Sequence, residues 1–135
     1  MADCIFCKIA KREIPSDVVY EDESTLAFLD ISPASLGHTL VIPKAHAETL
    51  EKLNEKDLKS LIITVQKISK AISKISEGYN VLQNNKEVAG QIVHHAHFHI
   101  IPRKHGDGIH FNRPNPKFSE KETRQIIERI KTLLK

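Results

Sequence analysis

The sequence predicts an α+β fold, a five-stranded antiparallel sheet with two main helices, and three observations carry that prediction. Short strand segments cluster around one long amphipathic stretch, strict strand-helix alternation is missing, and a second amphipathic helix comes last. The first two strands are Val18-Val19-Tyr20-Glu21 and Thr25-Leu26-Ala27-Phe28-Leu29. β-Branched and aromatic residues dominate them, and Asp22-Glu23-Ser24 suits a hairpin turn. His38 to Ile42 makes a third strand, ended by Pro43. From Asn54 to Glu77, Leu58, Leu61, Ile62, Val65, Ile68, Ile72 and Ile75 advance in steps of three and four, the period of an amphipathic helix. Asn54 can cap its start and Gly78 can end it. Val81 to Asn84 gives a short fourth strand and Ile92 to Ile101 a longer fifth, with Gly90 in the turn between them and Pro102 as the stop. Ser119-Glu120-Lys121-Glu122 is a capping box, and the helix it opens carries Ile126, Ile127, Ile130, Leu133 and Leu134 on one side. Lys104 to Lys117 reads as loop.

At 135 residues the chain fits one domain, residues 1–135, and 40% hydrophobic with 27% charged residues excludes extensive disorder. No run approaches the ~18 consecutive apolar residues of a membrane helix. Asp3 and polar breaks interrupt the region where a secretory signal needs apolar residues, so cytoplasmic residence is the expectation. The net charge of +3 is small and the lysines are scattered, which argues against a nucleic-acid face and leaves small anionic partners.

Eight histidines are the compositional oddity, and His94, His95, His97 and His99 fall within six positions. On a strand of period two, His95, His97 and His99 share one face while Ala96, Phe98 and Ile100 share the other. Successive imidazoles then stand roughly 6.5–7 Å apart, so all three cannot hold one zinc ion with bonds of about 2 Å. Cys4 and Cys7 form a Cys-x-x-Cys with no strand before it. That context favours metal ligation over a thioredoxin-like redox site.

His95-Ala96-His97-Phe98-His99-Ile100-Ile101 matches His-φ-His-φ-His-φ-φ, with φ apolar, at every position, and through it the chain resembles the histidine triad (HIT) superfamily of nucleotide hydrolases and transferases. Phe6-Cys7-Lys8-Ile9, Glu13-Ile14-Pro15, Ala27 to Pro33, Gly37 to Lys44, Asn84 and Ala89-Gly90-Gln91 follow the order and spacing of its Hint-like branch. The resemblance implies a symmetric homodimer, a sheet extended across it, and nucleotidyl transfer through a phosphorylated histidine.

By the same resemblance His97 is the nucleophile, with its second ring nitrogen held by the backbone carbonyl of His95. A neutral imidazole suits attack on phosphorus near pH 7. His99 and His38 would flank the phosphate as donors to its non-bridging oxygens. Asn84 and Gln91 would surround the phosphate and leaving group, although Asn84 also reads as a turn residue. Ile5, Phe6, Ile9, Phe28 and Ile31 match base-lining positions, residues that would otherwise read as ordinary core. Asp30 matches the ribose-binding carboxylate. Members with the cysteine pair bind zinc through a histidine after Pro-Lys-x, here His46, and the first triad histidine. The implied ligands are Cys4, Cys7, His46 and His95, a closed structural set. One departure stands at Ile92, where Hint-type phosphoramidases have serine and dinucleoside polyphosphate hydrolases threonine; isoleucine offers the leaving group no hydroxyl. The expected substrates are adenosine 5′-phosphoramidates or related AMP derivatives. The alternatives are dinucleoside polyphosphates, which Arg103 could face, and a nucleotide-binding scaffold with little chemistry.

Overall fold

The computed structural model describes residues 3–135. Its sheet has five strands, β1 (Val18–Glu21), β2 (Thr25–Leu29), β3 (Thr39–Pro43), β4 (Gly78–Gln83) and β5 (Phe98–Arg103), in the order β1-β2-β3-β5-β4. Every neighbouring pair is antiparallel. The helices are α1 (Ile5–Ala10), α2 (Glu55–Ile72) and α3 (Glu120–Leu133).

Of the three inner strands, β2 and β3 are covered on both faces, which is why their sequences are nearly continuous apolar runs. On one face, Leu61, Val65, Ile68 and Ile72 of α2 pack against Ala27, Val41 and Ile100. On the other, Phe6 and Ile9 of α1 pack against Leu26, Phe28, Leu40 and Ile42. The edge strands β1 and β4 alternate between half-buried and exposed residues.

Several boundaries differ from the sequence reading, among them β4, which runs from Gly78 to Gln83 where the sequence predicts Val81 to Asn84. The periodic stretch from Asn54 is helical only to Ile72. Asn54 caps it, with Oδ1 accepting the Asp57 N–H, but Gly78 begins β4 instead of ending the helix. Ser76 Oγ donates to the Ile72 carbonyl at 2.7 Å, and Ile75 is exposed, so the last apolar residue of the pattern makes no packing that would hold another turn. The fifth strand starts at Phe98, not Ile92, leaving His95 and His97 outside the ladder. It also continues through Pro102. The Pro102 carbonyl accepts from Ser35 Oγ at 2.7 Å on the side where pairing with β3 has ended, so the missing N–H interrupts no ladder bond to β4.

The α1 helix was not foreseen, because six residues give periodicity nothing to measure. The capping box of α3 forms as read, yet its apolar row is exposed along its whole length. Among the described residues no helix is long and apolar enough to cross a membrane.

Candidate active site and metal centre

His97 is the best-defined member of the triad. It is buried, its Nδ1–H donates to the His95 carbonyl at 2.7 Å, and no hydrogen bond to its Nε2 is present among the described residues. Burial holds its pKa below the ordinary value, against the opposing pull of that hydrogen bond and of Asp30. The ring is therefore neutral near pH 7, protonated on Nδ1, with the Nε2 lone pair free to attack. Phe6 meets it edge to face, with ring centroids 5.0 Å apart.

His99 and His38 form a coupled pair. The Ala34 N–H donates to His38 Nδ1 at 3.0 Å, which places the His38 proton on Nε2. That Nε2–H then donates to His99 Nδ1 at 2.9 Å, leaving neutral His99 with its own proton on Nε2. Burial lowers the pKa of both rings, that of His99 to about 4 with further help from His97 and His38. The Asp30 carboxylate lies 3.5 Å from His38 Nε2 and also accepts the Ser32 N–H at 2.8 Å. His38 thus has no spare donor for a phosphate oxygen, contrary to the sequence expectation, and reaches one only through His99.

His95 turns away from this pair. Its Nε2–H donates to the Pro43 carbonyl at 2.8 Å, so Nδ1 carries the free lone pair. Nδ1 stands 3.3 Å from Cys4 Sγ, 3.6 Å from Cys7 Sγ and 3.2 Å from His46 Nδ1, and Cys7 Sγ is 3.4 Å from His46 Nδ1. Four ligands bound tetrahedrally at about 2.0–2.3 Å stand about 3.3–3.8 Å apart, so these donors fit a zinc-sized ion. Burial, together with the neighbouring Cys4, pushes the Cys7 thiol up, and a cation at the centre would relieve that cost. Cys4, Cys7, His46 and His95 can therefore hold a metal ion. The spacing excluded one ion for the whole triad; the fold gives the cluster one triad histidine.

The remaining expected residues divide. Phe6, Ile9 and Phe28 are buried in the core cluster below the sheet, whereas Ile5 and Ile31 are exposed, Ile31 to 91%. Asn84 is half-buried, with Nδ2 3.5 Å from the Gly90 carbonyl. Gln91 does not point a free amide toward a phosphate. It is buried, its Oε1 accepts the Lys86 N–H at 2.7 Å, and its Nε2 donates to the Glu48 carbonyl at 2.6 Å. It closes the loop in which Lys86 adopts a φ of 75° and Gly90 a φ of 97°. Arg103 is likewise engaged, with Asp107, Asn80 and the Ile109 carbonyl. The partners missed from sequence are main-chain groups, Ala34 N–H and the Pro43 carbonyl, which leave no signal in residue identity.

Two imidazole-centred clusters flanking a tautomerically fixed His97 on an antiparallel sheet define a histidine triad domain, and the family comparison agrees. Residues 11–106 match the HIT domain, and the chain belongs to that family. It is 44% identical over 133 residues to the adenosine 5′-monophosphoramidase of Schizosaccharomyces pombe, covering 98% of each chain. Its structure is similar to the crystal structure of a HIT family member from Bacillus subtilis, with a TM-score of 0.89, 44% identity and 96% of each chain covered. It is also similar to a zinc-bound histidine triad family protein from Mycobacterium smegmatis, with a TM-score of 0.77 and 33% identity, covering 98% of this chain and 96% of that one.

Proposed function

We propose that the protein hydrolyses adenosine 5′-phosphoramidates, or related AMP conjugates, through a nucleotidyl intermediate on His97. The observation that carries this reading is the fixed tautomer of His97, a neutral imidazole with Nδ1–H held at 2.7 Å by the His95 carbonyl and Nε2 free. The similarity to a named adenosine 5′-monophosphoramidase supports the substrate class.

In the proposed reaction His97 Nε2 attacks the α-phosphorus, the new N–P bond forms as the bond to the leaving nitrogen breaks, and that nitrogen takes a proton from solvent and departs as the free amine. The His99 Nε2–H donates to the phosphoryl group as its charge rises, and His38 supports it by donating to His99 Nδ1. Water then adds to phosphorus, the His97 N–P bond breaks, and AMP, neutral His97 and one proton are released, which balances the proton taken up by the leaving amine. Asp30 serves the ribose hydroxyls, and Ile5 and Ile31 offer exposed apolar surface to the base. Asn84, half-buried beside Gly90, serves the leaving group.

Dinucleoside polyphosphates fit less well. A longer polyphosphate needs a free cation, and the Arg103 guanidinium is engaged with Asp107, the Ile109 carbonyl and Asn80 of β4. We assign the metal cluster to zinc, which when bound would supply a closed four-ligand tie with no open position for water. We also propose a two-fold homodimer through α2 and β4, where Ile62, Ile63, Tyr79 and Val81 are exposed.

The test is rapid quench with a labelled adenylyl substrate. Wild type should trap a covalent adduct, and His97→Ala should trap none while still binding AMP and losing several orders of magnitude of turnover. Near-normal turnover by His97→Ala would refute the covalent route.

A further inference from the structure

We propose that His95 is a positioning residue that couples the Cys4, Cys7 and His46 cluster to His97, so that metal binding aims the nucleophile as well as tying down the first helix. The inference rests on the reading of His97 as nucleophile.

His95 is fully buried, and each of its polar groups is committed in a different direction. Its Nδ1 faces the cluster at 3.2–3.6 Å, its Nε2–H donates to Pro43 at the end of β3, and its main-chain N–H donates to the Val93 carbonyl at 2.9 Å. Its carbonyl is the acceptor for His97 Nδ1–H. The sheet does not hold this stretch, because β5 starts only at Phe98. Its remaining main-chain anchor is Ala96 N–H to the Ala47 carbonyl at 2.7 Å, one residue beyond the ligand His46. The cluster therefore borders the nucleophile segment on two sides.

A second path runs through α1. Phe6, next to Cys7, packs edge to face on both His95 and His97, at centroid distances of 5.9 and 5.0 Å. One residue of the cluster, His95, thus lies two positions from the reacting ring. Two thiols and two imidazoles select zinc-like divalent ions, including cobalt and cadmium. A surface cavity of about 400 Å³, lined in part by Cys4, His46 and Ile92, gives them entry.

Cobalt makes the coupling visible. In protein loaded with Co2+, saturating AMP should shift the visible ligand-field and thiolate charge-transfer bands, because contact at His97 is passed to a metal ligand. His97→Ala should bind AMP with no shift. Silent bands in wild type, or an equal shift in His97→Ala, would overturn the coupling.

In single-turnover experiments with a labelled adenosine phosphoramidate, metal-depleted protein that retains its circular dichroism should form the His97 adduct about tenfold more slowly or worse, as a misaimed group does. AMP affinity should stay within about threefold, and Zn2+ or Cd2+ should restore the rate. An unchanged adduct rate without metal overturns the coupling alone, whereas absence of any adduct on wild type overturns the nucleophile reading beneath it. If depletion unfolds the chain, the cobalt spectra decide by themselves, since they use loaded protein throughout.

Discussion

The two clusters on either side of His97 are built from similar side chains and behave differently. In the cluster of Cys4, Cys7, His46 and His95, four ligand atoms converge on one centre, and without a cation only the weak S–H donors of Cys4 and Cys7 can serve the imidazole lone pairs. In the cluster of Asp30, His38 and His99 the ligating atoms also lie within 4.8 Å of one another, yet a proton already bridges His38 Nε2 and His99 Nδ1. What separates them is the Ala34 N–H. By donating to His38 Nδ1 it fixes that ring as a donor on its far side. Ligand atoms that converge on one centre suit a metal ion, whereas a donor-acceptor chain is complete without one and ends in the His99 Nε2–H.

Breaking the second cluster should give the larger effect on catalysis. His99→Ala removes the donor to the phosphoryl group and should lower kcat about 10²–10³-fold. His38→Ala acts through His99 and should cost only about tenfold, and the double variant should be no worse than His99→Ala, because residues in one chain are not additive. Steady-state kinetics of the three variants would settle the order, and additive losses would contradict the chain.

Breaking the first cluster should appear in stability, beside the slower adduct formation expected of the metal-depleted protein. Cys7→Ser removes a buried ligand and should lower the melting temperature by about 10 °C, the equivalent of roughly 3 kcal/mol in a chain of this size. Scanning calorimetry with stoichiometric zinc present measures it, and an unchanged melting point would remove the metal from the fold.

Acid should destabilise the fold through its buried histidines. His38 and His99 are depressed in the folded chain, His99 to about 4, chiefly by burial, against 6.5 when unfolded. Between those values the unfolded chain binds more protons, so stability is full above pH 6.5 and declines as pH falls toward 4. The melting temperature should drop by a few degrees across that window, and less in His38→Ala. Since His97 is depressed as well, the acid limb of kcat/KM should lie below pH 6.5.

The smallest effect belongs outside both clusters. Arg103→Ala should alter the ratio of diadenosine polyphosphate to phosphoramidate turnover by less than about twofold, since its guanidinium serves the Asp107 loop. A selective loss of polyphosphate cleavage would restore Arg103 to the site.

Much of this architecture is local and so was legible in residue order. The hairpin of β1 and β2, the Asn54 cap, the Ser119 capping box and the period of α2 each depend on neighbours within a few positions. The triad and the Cys-x-x-Cys were also readable, because metal and phosphate chemistry restrict the side chains that can serve. Alternation, however, implied one row of imidazoles on a continuous strand, and the strand begins only at Phe98. Which ring turns to the thiols, which nitrogen carries each proton, and which amide is free were decided by contacts across the fold. Pro43 binds His95 across 52 positions and Glu48 binds Gln91 across 43. Those partners are backbone groups that every residue possesses. Sequence therefore supplied the donors, and tertiary packing alone assigned their directions and protons.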